Sequence, residues 1–260
     1  MPELIEVEAY RQLADRVVGR QVANVHAPDA WYVKGGATTS DVVALASGAL
    51  VTATRRRGKL LLIDLAERPT LGLRFGMTGR LLLDGTGPID HLEYAPRREN
   101  PAWDRFALRF TDGSELRITD PRRLGAVEIE PDEHRLGPDA ASLTARELRD
   151  ALRGSRAPLK ACLLDQARIA GLGNLLVDEI LWRESLDPAR PASDLADDQV
   201  APLAREIRST VRLLTRRGGS HCGDLQDERH RDGHCPKDGA PLLRRQVGGR
   251  TTYSCPEHQR

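Results

Sequence analysis

Two ends of this chain carry residues whose types and spacing point to chemistry. It begins Met1-Pro2-Glu3-Leu4-Ile5-Glu6-Val7-Glu8. Removal of the initiator methionine would expose a secondary amine on Pro2. An α-amine titrates near pH ~8, against ~10.4 for lysine. It is therefore partly neutral near pH 7 and can attack an electrophilic carbon to give an iminium. Glu3 beside it is a candidate proton donor. Read alone, the same residues make an ordinary helix start. Pro2 suits a first helical turn, where its missing N–H costs nothing, and Leu4, Val7 and Leu13 share one face.

At the other end, Cys235-Pro-Lys-Asp238-Gly and Cys255-Pro-Glu-His258 are two knuckle-like turns with sixteen residues between them. Four ligands in two such pairs form the structural zinc pattern. Asp in the second place is permitted but less usual than Cys or His. His234, His230 and Cys222 are near enough in sequence to replace it. A metal-free hairpin is the plain alternative. Between the knuckles, Arg244, Arg245 and Arg250 occur with no acid. Gly248-Gly249 marks a hairpin tip from which Arg250 would project, suited to a phosphate.

Three interior stretches also suit anions or a duplex. Gly171-Leu-Gly173-Asn174 is a glycine turn ahead of a helix, whose free N–H groups attract phosphate. Arg55-Arg56-Arg57-Gly58-Lys59 presents a lysine in a tight turn. Lysine occurs only at 34, 59, 160 and 237 in a chain whose other cations are all arginine. Asp120-Pro121-Arg122-Arg123-Leu124-Gly125 sets guanidiniums beside an apolar residue, an arrangement that can enter a base stack.

The elements that must position these residues follow from patterning. A helix is predicted from about 2 to 18, stopped by Gly19. From 20 to 130 the chain reads as short strands, at 49–55, 59–65, 70–76, 80–84, 105–110 and 115–118, with a hairpin signal at Asp112-Gly113. No helix of useful length is expected among them, and the series predicts a β-sandwich. Pro131, Gly137 and Pro138 mark a linker. Thr144-Ala-Arg-Glu147 is a capping box. Helices are expected over about 158–167, 175–184 and a longer stretch with Leu195, Leu203, Ile207, Val211 and Leu214 inward, ended by Gly218-Gly219. The expected class is α+β, with domains at 1–133, 134–220 and 221–260.

Composition limits the alternatives. The chain has 260 residues, a net charge of +1 and 30% charged residues. A nucleic-acid surface must therefore be local rather than a global field. No apolar run is long enough for a bilayer and no signal peptide is evident, so a cytoplasmic protein is expected. Four cysteines, three of them crowded near the end among histidines, favour metal over disulfides.

Taken together, these stretches resemble the formamidopyrimidine-DNA glycosylase / endonuclease VIII family over nearly the whole chain and in order. The resemblance rests on Met1 to Glu8, Gly58-Lys59-Leu-Leu-Leu, Gly76-Met77-Thr-Gly, Thr119 to Gly125, Lys160 through Asn174 and Glu179, and Gly249 to Pro256. It implies an N-terminal helix with a β-sandwich, a helix–two-turn–helix domain and a zinc-finger-like β-hairpin. It implies a DNA repair enzyme, cytoplasmic and nucleoid-associated, in which Pro2 attacks C1′ of a damaged nucleoside, Glu3 protonates the opening sugar and Lys59 assists base release. Met77, Arg122 and Leu124 would fill the space left by a flipped nucleotide. Lys160, Asn174 and Arg250 would grip the backbone. Glu6 and Glu179 would give structural support, Glu179 bracing the N-terminus. Cys235, Asp238, Cys255 and His258 would hold one Zn2+. The implied partner is damaged double-stranded DNA, bound by a monomer without a small-molecule cofactor or a membrane.

The chain departs from the family pattern at Ile5, where a second proline is usual, and at Leu124, where phenylalanine is. Asp238 and His258 replace cysteines, and Gly218 to His234 is short. Met77, Arg122 and Leu124 together lean toward oxidised purines such as formamidopyrimidines and 8-oxoguanine, and the short segment toward a paralog for other lesions. The rival is a non-catalytic paralog that recognises abasic or distorted DNA, against which Pro2, Glu3 and Lys59 together argue. A general zinc-finger module would leave those three residues unused.

Overall fold

The computed structural model describes residues 2–89, 92, 95, 96, 98 and 100–260. The chain divides into two compact units, Met1–Glu133 and His134–Arg260. Among the described residues no helix is long and apolar enough to cross a membrane.

The first unit opens with α1 (Leu4–Asp15). Its Leu4, Val7, Tyr10, Leu13 and Ala14 are buried. Among the described residues nine strands follow: β1 (Val22–His26), β2 (Val33–Lys34), β3 (Val51–Arg57), β4 (Leu60–Leu65), β5 (Arg68–Arg74), β6 (Arg80–Leu83), β7 (Asp104–Phe110), β8 (Glu115–Thr119) and β9 (Ala126–Ile129). They form a four-stranded sheet in the order β1-β7-β8-β6 and a five-stranded sheet in the order β2-β9-β5-β4-β3. Period-2 alternation sends Phe106, Leu108 and Phe110 of β7 and Leu116 and Ile118 of β8 inward. There they share one core with Leu61, Ile63, Leu71 and Leu73 of the other sheet. This is the expected helix-plus-sandwich architecture.

Two local differences from the sequence reading matter. Pro2 is not in the first helical turn. Glu3 is extended (φ −104°, ψ −172°) and caps the helix, its N–H donating to Glu6 Oε2 at 2.8 Å, so Pro2 lies outside α1. A helix also interrupts the strands, α2 (Thr39–Ala46). Thr38 and Asp41 close a capping box, with Thr38 N to Asp41 Oδ2 at 2.8 Å and Asp41 N to Thr38 Oγ1 at 3.2 Å. Only Val42 and Ala46 of this helix are buried, too few to make a periodic signal.

The second unit contains α3 (Ala145–Leu152), α4 (Leu159–Leu164), α5 (Asn174–Arg183), α6 (Asp197–Arg217) and a hairpin of β10 (Leu243–Val247) and β11 (Arg250–Ser254). The Thr144–Glu147 capping box forms, with Glu147 N to Thr144 Oγ1 at 3.2 Å. Helix α4 is shorter than expected. Gln166 turns back instead, donating to the carbonyls of Leu164 and Leu172 and accepting from Gly171 N at 2.9 Å. Leu195 precedes α6 rather than lying in it, and Gly218 ends that helix with φ 103°, a conformation that favours glycine. Helix α5 is buried from Leu175 to Trp182.

Candidate functional site

In the first unit, Pro2 and Glu3 are buried. Glu3 and Glu6 lie at the N-terminal end of α1, where the helix dipole favours negative charge. The Gly58-Lys59 turn joins β3 to β4, with Gly58 at φ 56°. It is held from α1: Arg56 Nε donates to Glu8 Oε2 at 3.1 Å, and Arg56 also donates to the Gly58 carbonyl at 2.8 Å. Thus Glu8 orients the lysine turn through Arg56. Met1, whose removal the amine chemistry requires, lies outside the described residues.

Two loops of this unit are stitched together by one buried carboxylate. Asp120, fully buried, accepts the Thr78 hydroxyl at 2.5 Å and the N–H groups of Arg122, Leu124 and Gly125 at 3.2, 2.9 and 2.9 Å. Gly76 (φ 54°) lies so close that a Cβ there would meet the Leu124 carbonyl carbon at 2.4 Å. Met77, half-buried, is thereby set beside the Arg122–Leu124 loop. Leu124 is 51% exposed. Arg122 is exposed and, among the described residues, makes no side-chain ion pair. Arg123 turns back (φ 55°) to the nearly buried Asp29, at 2.7 and 2.6 Å. This guanidinium holds the Asp29 carboxyl below the usual carboxylate range. Of the two arginines, Arg123 is anchored and Arg122 is exposed.

In the second unit, Lys160 departs from the role implied for it. Its side chain is fully buried, with Nζ at 2.6 Å from Asp178 Oδ1 and 2.7 Å from Thr252 Oγ1. Arg229 pairs with the other Asp178 oxygen and lies over the Tyr253 ring at 5.2 Å. A buried ammonium satisfied in this way braces the hairpin against α4 and α5 and does not present itself to a backbone phosphate. Asn174 opens α5 and donates to the Thr251 carbonyl at 3.0 Å, so part of its donor capacity also serves the hairpin. A Cβ on Gly248 would meet Ala161 Cβ at 2.9 Å, so the tip rests on α4. Arg250 beside it is exposed. Glu179 is buried, receiving Arg183 Nε at 2.7 Å and the N–H groups of Asp224 and Leu225 at 3.0 and 2.9 Å. It thereby shapes the 224–225 turn.

The knuckles bring Cys235, Asp238, Cys255 and His258 together, with donor atoms within 4.8 Å of one another. Among the described residues Cys222, His230 and His234 do not join this cluster. Cys235 Sγ is 3.6 Å from His258 Nδ1, and Cys255 Sγ is 3.2 Å from Asp238 Oδ2. A tetrahedral zinc with ligands at about 2.0–2.3 Å separates its donors by about 3.3–3.8 Å, so the set fits such an ion with small adjustments. His258 Nε2 lies 3.2 Å from the Trp182 carbonyl. Nδ1 lies 2.7 Å from Asp238 Oδ2 and donates to that carboxylate. With Nε2 donating to the carbonyl, a cation replacing the Nδ1 proton would meet an acceptor nitrogen. Trp182 Nε1 also donates to Cys235 Sγ at 3.3 Å. The Ala240 N–H and His258 hold the Asp238 carboxyl far below its usual range, and burial pushes the Cys255 thiol up to about 11. A bound cation would displace that proton.

Sequence reading missed the residues that work through others. In the sequence Asp120 reads as a turn residue, and Asp-Pro at a loop start is a signal for such backbone capture. Glu8, Asp29 and Asp178 had no local signal, because their partners are distant in sequence.

Comparison with known proteins shows the family. The formamidopyrimidine-DNA glycosylase N-terminal domain family matches residues 1–127, and the formamidopyrimidine-DNA glycosylase H2TH domain family matches residues 136–224. The formamidopyrimidine-DNA glycosylase of Roseiflexus sp. (strain RS-1) is 34% identical over 283 residues, covering 100% of both chains. That of Paracoccus denitrificans (strain Pd 1222) is 35% identical over 288 residues, covering 98% of this chain and 99% of its own. Among solved structures, the Lactococcus lactis Fpg in complex with abasic-site DNA superposes with a TM-score of 0.82 at 25% identity, covering 99% of each chain. A MutM in complex with carbocyclic 8-oxo-G DNA gives 0.83 at 26%, again over 99% of each chain. The chain belongs to the formamidopyrimidine-DNA glycosylase / endonuclease VIII family.

Proposed function

We propose that this protein is a bifunctional DNA glycosylase/AP lyase that removes oxidised purines, formamidopyrimidine and 8-oxoguanine, in base excision repair. The observation that carries the reading is the pairing of Pro2 with Glu3. Both are buried at the end of α1, and the lysine turn is held from the same helix through Glu8 and Arg56. The family's relatives, named for formamidopyrimidine excision, support the substrate class.

In this mechanism the Pro2 nitrogen forms a bond to C1′ while the glycosidic bond breaks and the base leaves with its electron pair. Glu3 gives a proton to the opening sugar ring oxygen. The resulting iminium acidifies C2′. Loss of that proton expels the 3′ phosphate, and a second elimination expels the 5′ phosphate. Lys59 neutralises phosphate and assists base departure. Met77, Arg122 and Leu124 occupy the gap in the duplex, with Arg122 on the opposite base. Arg250 and the remaining donor of Asn174 bind backbone phosphates, and Lys160 supports them from behind.

Cys235, Asp238, Cys255 and His258 hold one structural zinc, which ties the two knuckles and so fixes the hairpin that carries Arg250. The working divisions are 1–133 for chemistry, 134–220 for the helix–two-turn–helix grip and 221–260 for the hairpin. The protein acts as a cytoplasmic, nucleoid-associated monomer on damaged double-stranded DNA.

The test is incubation with duplexes holding a single 8-oxoguanine or formamidopyrimidine. The proposal expects free base and a one-nucleotide gap with phosphate at both ends. A cut leaving an unsaturated aldehyde on the 3′ side would remove the second elimination. Binding without release of any base would leave the non-catalytic rival.

A further inference from the structure

The segment just before β2 carries an exposed aromatic outside the proposed catalytic and wedge residues. Trp31 is 63% exposed, the highest value among the exposed large hydrophobic residues. Lys34 places its ammonium 3.6 Å from the centre of the Trp31 ring. Among the described residues Lys34 has no ion pair. It is also one of only four lysines in an arginine-dominated chain.

This pair is tied to the Arg122–Leu124 loop in two ways. Asp29 accepts the Trp31 N–H at 3.1 Å and clamps Arg123 with the same carboxylate. Strand β2 runs parallel to β9, which leaves that loop, with Val33 opposite Val127 and Lys34 opposite Glu128. The neighbouring acids are already neutralised, Asp29 by Arg123 and Glu128 by Arg74 at 3.1 Å. What remains is an apolar plate, an uncompensated ammonium on it, and an uncompensated Arg122 on the adjoining loop.

We infer that Trp31 and Lys34 form a flanking DNA contact, continuous with the Arg122–Leu124 loop and directed at the strand opposite the lesion. Lys34 takes a backbone phosphate, and Trp31 covers the adjoining sugar or base edge. An aromatic face beside a cation suits a nucleotide, which offers an apolar ring and an anion side by side. A stacked ammonium is also partly ordered before binding, so less freedom is lost when a phosphate arrives. The contact rests on the DNA reading above but names a surface that reading does not use.

The experiment measures binding of the wild type, Trp31→Ala, Trp31→Phe and Lys34→Met to a duplex holding a stable abasic-site analogue, across a series of salt concentrations. Each phosphate contact adds about 0.9 to the slope of log K against log salt. Lys34→Met should lower the slope by about that amount, and Trp31→Ala should weaken binding at least about 5-fold, the low end for aromatic contacts with nucleotides. Trp31→Phe should retain most of the affinity but lose the larger part of the tryptophan quenching seen with the wild type. A phosphate-neutral methylphosphonate in the opposite strand should erase the Lys34→Met difference.

If the wild type binds, but the variants keep its affinity within 2-fold, its slope and its quenching, the contact does not exist. A wild type that does not bind at all would overturn the DNA reading itself, and this contact with it.

Discussion

The Thr78 hydroxyl donates to the buried Asp120 carboxylate at 2.5 Å. This bond joins the loop that carries Met77 to the loop that carries Arg122 and Leu124. Neither loop has regular structure to hold it. Asp120 supplies the order by accepting three backbone N–H groups as well.

Removing this carboxylate should therefore disorder both loops. Asp120→Ala leaves several donors in a buried place without an acceptor, each costing about 1–3 kcal/mol. A loss of at least about 2 kcal/mol is expected by urea unfolding. Gly76→Ala should act on the same junction by pushing against the Leu124 backbone, at a cost of about 1–3 kcal/mol. Both variants should lose opposite-base discrimination. Unchanged discrimination in both would mean that the loops do not act as one.

The second prediction separates Lys160 from Arg250. Asp178→Ala strands the charges of Lys160 and Arg229 in a buried site, where breaking such pairs costs about 3–5 kcal/mol. Arg250→Met should leave stability unchanged and lower the salt slope of DNA binding by about 0.9. Lys160→Met should destabilise the second unit without that full change in slope. A Lys160→Met variant of normal stability, with the slope lowered like that of Arg250→Met, would return Lys160 to direct phosphate contact.

The Asp29–Arg123 pair carries a pH signature. The folded-state pKa of Asp29 is depressed, chiefly by its hydrogen bonds from Arg123. The stability it contributes is present above its unfolded value of about 3.9 and is lost as the pH falls through the lower folded value. Arg123→Met should raise the Asp29 titration toward 3.9 and move the start of acid unfolding to higher pH. Carboxyl-resolved NMR titration checks this. An unmoved Asp29 would show that its carboxylate is held low by something else.

The metal cluster can be read by its donors. Cobalt in place of zinc should give the thiolate charge-transfer intensity of two sulfurs, which Cys235→Ser should halve. Asp238→Ala should weaken retention of the ion, while His234→Ala should leave it unchanged. Chelation should loosen the hairpin and lower DNA affinity. Full zinc retention by Asp238→Ala would exclude Asp238 as a ligand.

These predictions rest unevenly on what the sequence displays. The strands were legible because Phe106, Leu108 and Phe110 alternate with polar neighbours, and the knuckles because ligand spacing is local. Helix α2 was hidden by its length, although Thr38 and Asp41 spell its cap. For Lys160 a grip on the DNA backbone is implied only by the family resemblance, since no local pattern marks its partners. Its true partner, Asp178, lies one helix later and Thr252 lies in the hairpin, so only folding brings them to the ammonium. The Asp29–Arg123 clamp was illegible for the same reason, whereas Asp120 captures the local N–H groups of its own loop and only its link to Thr78 comes through tertiary structure.

The central claim is that the Pro2 nitrogen is the nucleophile. The most direct measurement is borohydride trapping on abasic-site DNA, followed by mass spectrometry of the cross-linked peptide. The account predicts a covalent adduct on the N-terminal peptide at Pro2, and none when Met1 is retained. An adduct located on Lys59, an adduct of equal yield with Met1 in place, or no adduct at all would contradict it.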